Sequence, residues 1–215
     1  MLHSGLALAS PIFFIHMNDL VIIKYNAGNI QSVEYALNRL GVNPVITDDP
    51  ELIKSAKRVL FPGVGEASTA MNYLKERQLD KVIKDLKQPF LGICLGLQLM
   101  CKHSEENDTE CLGVFDVLVK KFPNNVNGTS YKVPEIGWNA LAELKTNLYK
   151  GIDEGSFVYF VHSYFAELNP HTISTTQYAE KFSSAIAKDN FYAVQYHPEK
   201  SAEVGSKIIQ NFLEI

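Results

Sequence analysis

Short apolar runs, each broken by a polar or glycine-containing turn and followed by a stretch with helical spacing, set the rhythm of the first hundred residues. Leu20, Val21, Ile22 and Ile23 read as a buried strand, since four consecutive aliphatic residues leave no polar face. After Asn26, Gly28 and Asn29, apolar residues at Val33, Leu37 and Leu40 fall at i, i+4 and i+7, which predicts a helix over 30–40 closed by Gly41. Residues 42–47 form the next strand candidate, Asp48-Asp49-Pro50 a helix start, 58–61 a third strand, and 67–75 and 79–86 two more helices. Residues 90–93 are a further apolar run, and apolar character continues through a helix over 95–103. The alternation predicts an α/β fold with a doubly wound, mostly parallel sheet and helices on both faces. Its chemistry belongs at the carboxyl ends of the strands.

Beyond residue 103 the pattern changes. Residues 103–110 are acidic and polar, which predicts a solvated loop. The segments 114–122 and 131–144 are interrupted by Pro123-Asn124-Asn125 and Asn127-Gly128, turn chemistry that predicts short antiparallel strands inserted at the sheet edge. Residues 157–161 read as a buried strand running into His162, Ser163 and Tyr164. Strands over 172–176, 184–188 and 191–195 follow, the last two joined by a hairpin turn at Asp189-Asn190, and a helix over 202–213 ends the chain.

Composition narrows the class. A chain of 215 residues is long enough for one well-buried domain. A net charge of −4 supplies no basic field, which argues against a nucleic-acid partner. No apolar run approaches the ~20 residues that span a bilayer. Cys94, Cys101 and Cys111 are an odd number without metal-ligand spacing, as expected of a reduced, cytoplasmic chain with no metal and no cofactor. The apolar segment 6–15 lacks a preceding Lys or Arg, so it does not read as a secretory signal. Met17 reads as a natural start, which makes residues 1–16 an upstream extension and 17–215 a single domain.

The sharpest chemical signal is Gly92-Ile93-Cys94-Leu95-Gly96 between an apolar strand and a helix. Glycines two residues either side let the backbone turn sharply, which makes a nucleophile elbow with sulfur in place of oxygen. A thiol there sits at a helix N-terminus, whose N–H groups favour the thiolate that attacks carbonyl carbon. A lone cysteine is more often a buried structural residue, so the reading needs a base. Tyr196-His197-Pro198-Glu199 supplies one: in an extended segment residues i and i+2 project together, placing imidazole and carboxylate as base and orienter. Cys94, His197 and Glu199 then form a triad. Among the other histidines, His3 and His16 lie in the extension, and His103 and His171 in polar turns. His162 follows a strand but lacks a carboxylate two residues on, which gives it substrate contact. The loop Pro62-Gly63-Val64-Gly65 is either an ordinary strand-to-helix turn or half of an oxyanion hole whose other half is the Leu95 N–H.

These motifs in order, PGVG at 62–65, GICLGLQ at 92–98, VHSY at 161–164 and YHPE at 196–199, resemble the class I, triad-type glutamine amidotransferases from about residue 20 to the end of the chain. AGN at 27–29 with Ser32-Val33, IGWN at 136–139 and HPEKS at 197–201 most resemble the glutaminase subunits of imidazole glycerol phosphate synthase. The resemblance implies hydrolysis of L-glutamine through a Cys94 thioester. It also implies delivery of ammonia to a cyclase partner, a (β/α)₈ barrel, in a heterodimer of histidine biosynthesis. It assigns Gly63, Val64 and Gly65 to the oxyanion strand, Gln98 to holding glutamine, and His162, Ser163 and Tyr164 to the segment along the substrate. Asn29, Trp138, Tyr159 and Lys200 match the interface with the cyclase. Gly63 and Gly65 would leave the Val64 peptide free to rotate when the partner binds. Lys24, Asn26 and Glu135 depart from the family's usual residues. A glutaminase domain of another synthase, a free-standing Cys-His γ-glutamyl hydrolase and an inactive regulatory protein remain as rival readings.

Overall fold

The computed structural model describes residues 19–26 and 29–215; the segment 1–16 read as an extension, and Ala27 and Gly28 of the first turn, lie outside them. Strand β1 (Leu20–Ile23) pairs in parallel with β2 (Val45–Thr47) on one side and β3 (Arg58–Gly63) on the other. The crossovers are α1 (Ile30–Arg39) and α2 (Pro50–Ser55). As the sequence predicts, α2 starts with Pro50 behind an Asp49 cap, whose carboxylate accepts from the Glu51 N–H at 2.8 Å. Helices α3 (Ala67–Glu76) and α4 (Leu79–Asp85) lead to β4 (Phe90–Cys94), which pairs in parallel with β3 and passes straight into α5 (Leu95–Met100).

The chain then lays down short strands away from this sheet: β5 (His103–Ser104), β6 (Thr109–Glu110), β7 (Leu118–Lys121), β8 (Asn125–Val126), β9 (Thr129–Ser130), β10 (Glu135–Ala140), β11 (Phe157–His162) and β12 (Tyr164–Ala166). It returns with β13 (Thr172–Gln177), β14 (Lys181–Lys188) and β15 (Phe191–Val194). β15 joins β4 in parallel while β14 and β13 add an antiparallel edge, giving the order β13-β14-β15-β4-β3-β1-β2. Helix α6 (Ala202–Glu214) ends the chain.

Alternation along β1 sorts the layers. Val21 and Ile23 enter a core with Ile53 of α2, Leu74 of α3, Ile83 of α4 and Leu97 of α5. Leu20 and Ile22 enter the opposite core with Val33 and Leu37 of α1 and Ile208 and Phe212 of α6. All are buried, and each contributes about 1.5–3 kcal/mol by leaving water. The doubly wound α/β sheet with helices on both faces is thus present.

Three local expectations change and one is refined. The helix over 95–103 is only α5, because Cys101 turns extended and the Lys102 N–H bonds the Val117 carbonyl. The acidic stretch 103–110 is not a loop: β5 and β6 pair with each other, and β5 also pairs with β7. The strands of 114–144 lie at the sheet edge, where Ala142 bridges Thr175 of β13, but add no full strand to it; β7 pairs with β5 and β12, β8 with β9, and β10 with β11. Residues 157–161 are not fully buried. The β10–β11 ribbon buries Val158, Phe160 and His162 on one face and turns Phe157, Tyr159 and Val161 outward.

Candidate active site

The register of β3 on β4 puts Gly63 opposite Cys94, so the sulfur emerges beside the Pro62–Gly65 loop at the carboxyl end of the sheet. Cys94 holds φ 55° and ψ −108°, a backbone that residues with side chains rarely adopt. The turn depends on Gly96, where a Cβ would run into the Phe61 carbonyl oxygen. Cys94 is buried, its Sγ 3.8 Å from the Val161 carbonyl and 3.8 Å from Nε2 of Gln195.

His197 follows β15, the parallel neighbour of β4, and its ring meets the sulfur from that side. Its Nδ1 donates to Oε1 of Glu199 at 2.8 Å, and its Nε2 is buried without a hydrogen-bond partner. Burial opposes charging of this imidazole, but the Cys94 sulfur and the Glu199 carboxylate outweigh it and hold the pKa at about 10. The pair does not form as an extended segment would have it. Pro198–Lys200 is a 3₁₀ turn, and that turn swings Glu199 back under His197. Two bonds tie the segment to β11: the His197 N–H donates to the Tyr159 carbonyl at 2.9 Å, and the Ser201 hydroxyl bridges the Tyr159 N–H and the His197 carbonyl.

A cleft of about 290 Å³ opens over the sulfur. Val64, Gly65, Leu95 and Gln98 line it, as do His162, Ser163 and Tyr164. Gly63 does not: it is the last residue of β3, and a Cβ there would strike the Tyr25 hydroxyl. Only Gly65, at φ 114°, has backbone that a side chain would resist, so the expected freedom on both sides of Val64 exists on one side.

His162 lines the cleft, and one of its ring nitrogens is taken. Nδ1 donates to the Tyr164 carbonyl at 2.8 Å, and Nε2 lies 3.2 Å from Oε2 of Glu135 without hydrogen-bond alignment. Phe122, Phe160 and Phe182 surround the ring at 5.2, 5.5 and 5.3 Å. Sequence reasoning missed Glu106, Pro134 and Gln195. Glu106 lines the cleft with its Oε2 accepting from the Ala67 N–H at 2.7 Å, and burial raises its carboxyl pKa.

The four interface candidates lie close to the triad. Trp138, 52% exposed on β10, meets the Tyr159 ring edge-on at 6.0 Å. Ile136 and Phe157 extend that outward apolar strip. Asn29 lines a crevice with Val64, His197 and Glu199, and Lys200 is exposed next to Glu199.

The family model "Glutamine amidotransferase class-I" matches residues 21–215. Imidazole glycerol phosphate synthase subunit HisH of Bacteroides fragilis is 56% identical over 196 residues, covering 91% of this chain and 99% of that protein. The Shewanella sediminis protein of the same name is 45% identical over 203 residues, 92% of this chain and 91% of its own. Among solved structures, a glutamine amidotransferase from Thermotoga maritima superposes with a TM-score of 0.62 at 19% identity, covering 93% of this chain and 84% of that one, which supports the fold. Elbow, fold and relatives agree, and the chain belongs to the class I glutamine amidotransferases and, within them, to the imidazole glycerol phosphate synthase subunit HisH family.

Proposed function

We propose that Cys94, His197 and Glu199 hydrolyse the side-chain amide of L-glutamine, and that the ammonia passes to a cyclase partner that makes imidazole glycerol phosphate. The observation that carries this reading is the geometry at the ends of β4 and β15: Cys94 at the strained elbow, and beside it His197 with its Nδ1 fixed by Glu199 at 2.8 Å. Sulfur attacks the amide carbon, and the oxygen takes up negative charge toward the N–H groups of Leu95 and of the Val64–Gly65 strand. Collapse breaks the C–N bond while His197 gives its proton to the departing nitrogen, leaving ammonia and a Cys94 thioester. His197, now neutral, takes a proton from water. The hydroxide adds to the thioester, and glutamate leaves as the sulfur regains its resting form. Glu106 and the oxygen of Gln98 are acceptors suited to the substrate's ammonium group.

The names of the relatives describe one subunit of a synthase, which supports a partner for this chain. Asn29, Trp138, Tyr159 and Lys200 form the docking face in this reading, extended by Ile136 and Phe157. Three free cysteines fit a reducing cytoplasm. Among the described residues no helix is long and apolar enough to cross a membrane. The test is glutamate release from glutamine by the chain alone and with its cyclase and nucleotide ligand. Strong stimulation by the pair is expected; fast turnover indifferent to the barrel would overturn the assignment of partner.

A further inference from the structure

Gln195 follows β15, is fully buried between Gln98 and Cys94, and has no part in the chemistry described so far. The direction of each amide here is set by one group that has no choice, the main-chain carbonyl of Tyr164, which can only accept. Nε2 of Gln98 lies 2.9 Å from that oxygen and 3.2 Å from Oε1 of Gln195. Both hydrogens of the Gln98 amide are thereby engaged, and its Oε1 alone is left to meet a ligand in the cleft. Gln195 must show its oxygen to Gln98, so its nitrogen faces Cys94, where Nε2 stands 3.8 Å from Sγ. Reversing Gln195 would set donor against donor, and reversing Gln98 would set its oxygen against the Tyr164 carbonyl and the Gln195 oxygen, acceptor against acceptor. The Tyr164 carbonyl cannot turn away, because His162 Nδ1 also donates to it.

We propose that Gln195 is a positioning residue for glutamine hydrolysis: it holds Gln98 with its oxygen open to the cleft and donates a hydrogen bond that fixes the Cys94 sulfur. The inference rests on Cys94 being the nucleophile. The two contacts separate by substitution. Gln195→Glu keeps an acceptor toward Gln98 but loses the donor toward sulfur, whereas Gln195→Met keeps the volume and loses both.

Glutamine hydrolysis is measured on the complex with the cyclase and its nucleotide ligand, with thermal melting to confirm folding. In Gln195→Glu, kcat should fall roughly tenfold or more with KM within about twofold of the parent; in Gln195→Met, kcat should fall as far and KM rise roughly tenfold. Alkylation of Cys94 by iodoacetamide, which needs no contact with Gln98, should slow in both. Parental kcat and KM in Gln195→Met would overturn the proposal, and that variant decides alone if Gln195→Glu does not fold. Cys94→Ala is the control on the underlying reading. Ammonia release surviving in Cys94→Ala would overturn the nucleophile assignment itself, while an inactive Cys94→Ala beside a parental Gln195→Met overturns only the role of Gln195.

Discussion

Glu135 and His162 are register partners across the β10–β11 ribbon, with carboxylate and ring nitrogen 3.2 Å apart and both side chains closed to water. The Asn139 amide holds the other carboxylate oxygen at 2.9 Å. Removing Glu135 leaves the Asn139 amide and the ring nitrogen facing a space closed to water, at a cost of about 1–3 kcal/mol. Glu135→Ala should therefore lower stability in urea unfolding by that amount. Glu135→Leu combined with His162→Phe should recover most of it, because Phe122, Phe160 and Phe182 already form an aromatic socket. A loss below about 1 kcal/mol in Glu135→Ala would show that the pair is not coupled.

The backbone at Cys94 makes a second prediction. At φ 55° and ψ −108° a Cβ is strained, so Cys94→Gly should be more stable than Cys94→Ala by about 1 kcal/mol, the reverse of the order in an ordinary helix. Thermal melting of the two inactive variants checks this. Equal midpoints, or a more stable alanine, would mean the elbow relaxes when the sulfur is gone.

His197 should titrate near pH 10 in the intact chain, followed by NMR of its ring protons. Burial alone pulls the other way, so Cys94→Ala should bring the midpoint down, and adding Glu199→Gln should carry it below the ordinary 6.5. A midpoint unmoved by loss of the sulfur would disprove the contact between base and nucleophile.

Replacing Ile136 with Glu, or Trp138 with Ala, should leave the melting midpoint of the isolated chain almost unchanged, since both side chains are more than half exposed. Affinity for the cyclase, measured by calorimetry, should fall more than about tenfold. Parental affinity in both variants would move the docking face elsewhere.

The sheet and the triad were legible because their signals are local. Four aliphatic residues in a row, glycines flanking a cysteine, and a histidine two residues from a glutamate each declare themselves within a few positions. Even so, the His197–Glu199 pair arises by a 3₁₀ turn, since Pro198 suits the first position of a helix as well as an extended strand. Glu135 and Gln195 were not legible as site residues. Their partners lie 27 positions away in the case of His162 and 97 in the case of Gln98, and nothing near them in sequence distinguishes a paired side chain from an idle one. The stretch 103–110 misled for a related reason: Glu105, Asp108 and Glu110 face solvent while Ser104 and Thr109 are buried and paired across β5 and β6.

Tyr159 touches Trp138 with its ring and holds the His197 N–H with its carbonyl. In the proposed reading, the docking face on the β10–β11 ribbon and the base after β15 are therefore joined through the single residue Tyr159. On that reading, a substitution at Tyr159 or Trp138 that tightens docking should also change turnover, because the Tyr159 carbonyl holds the His197 backbone.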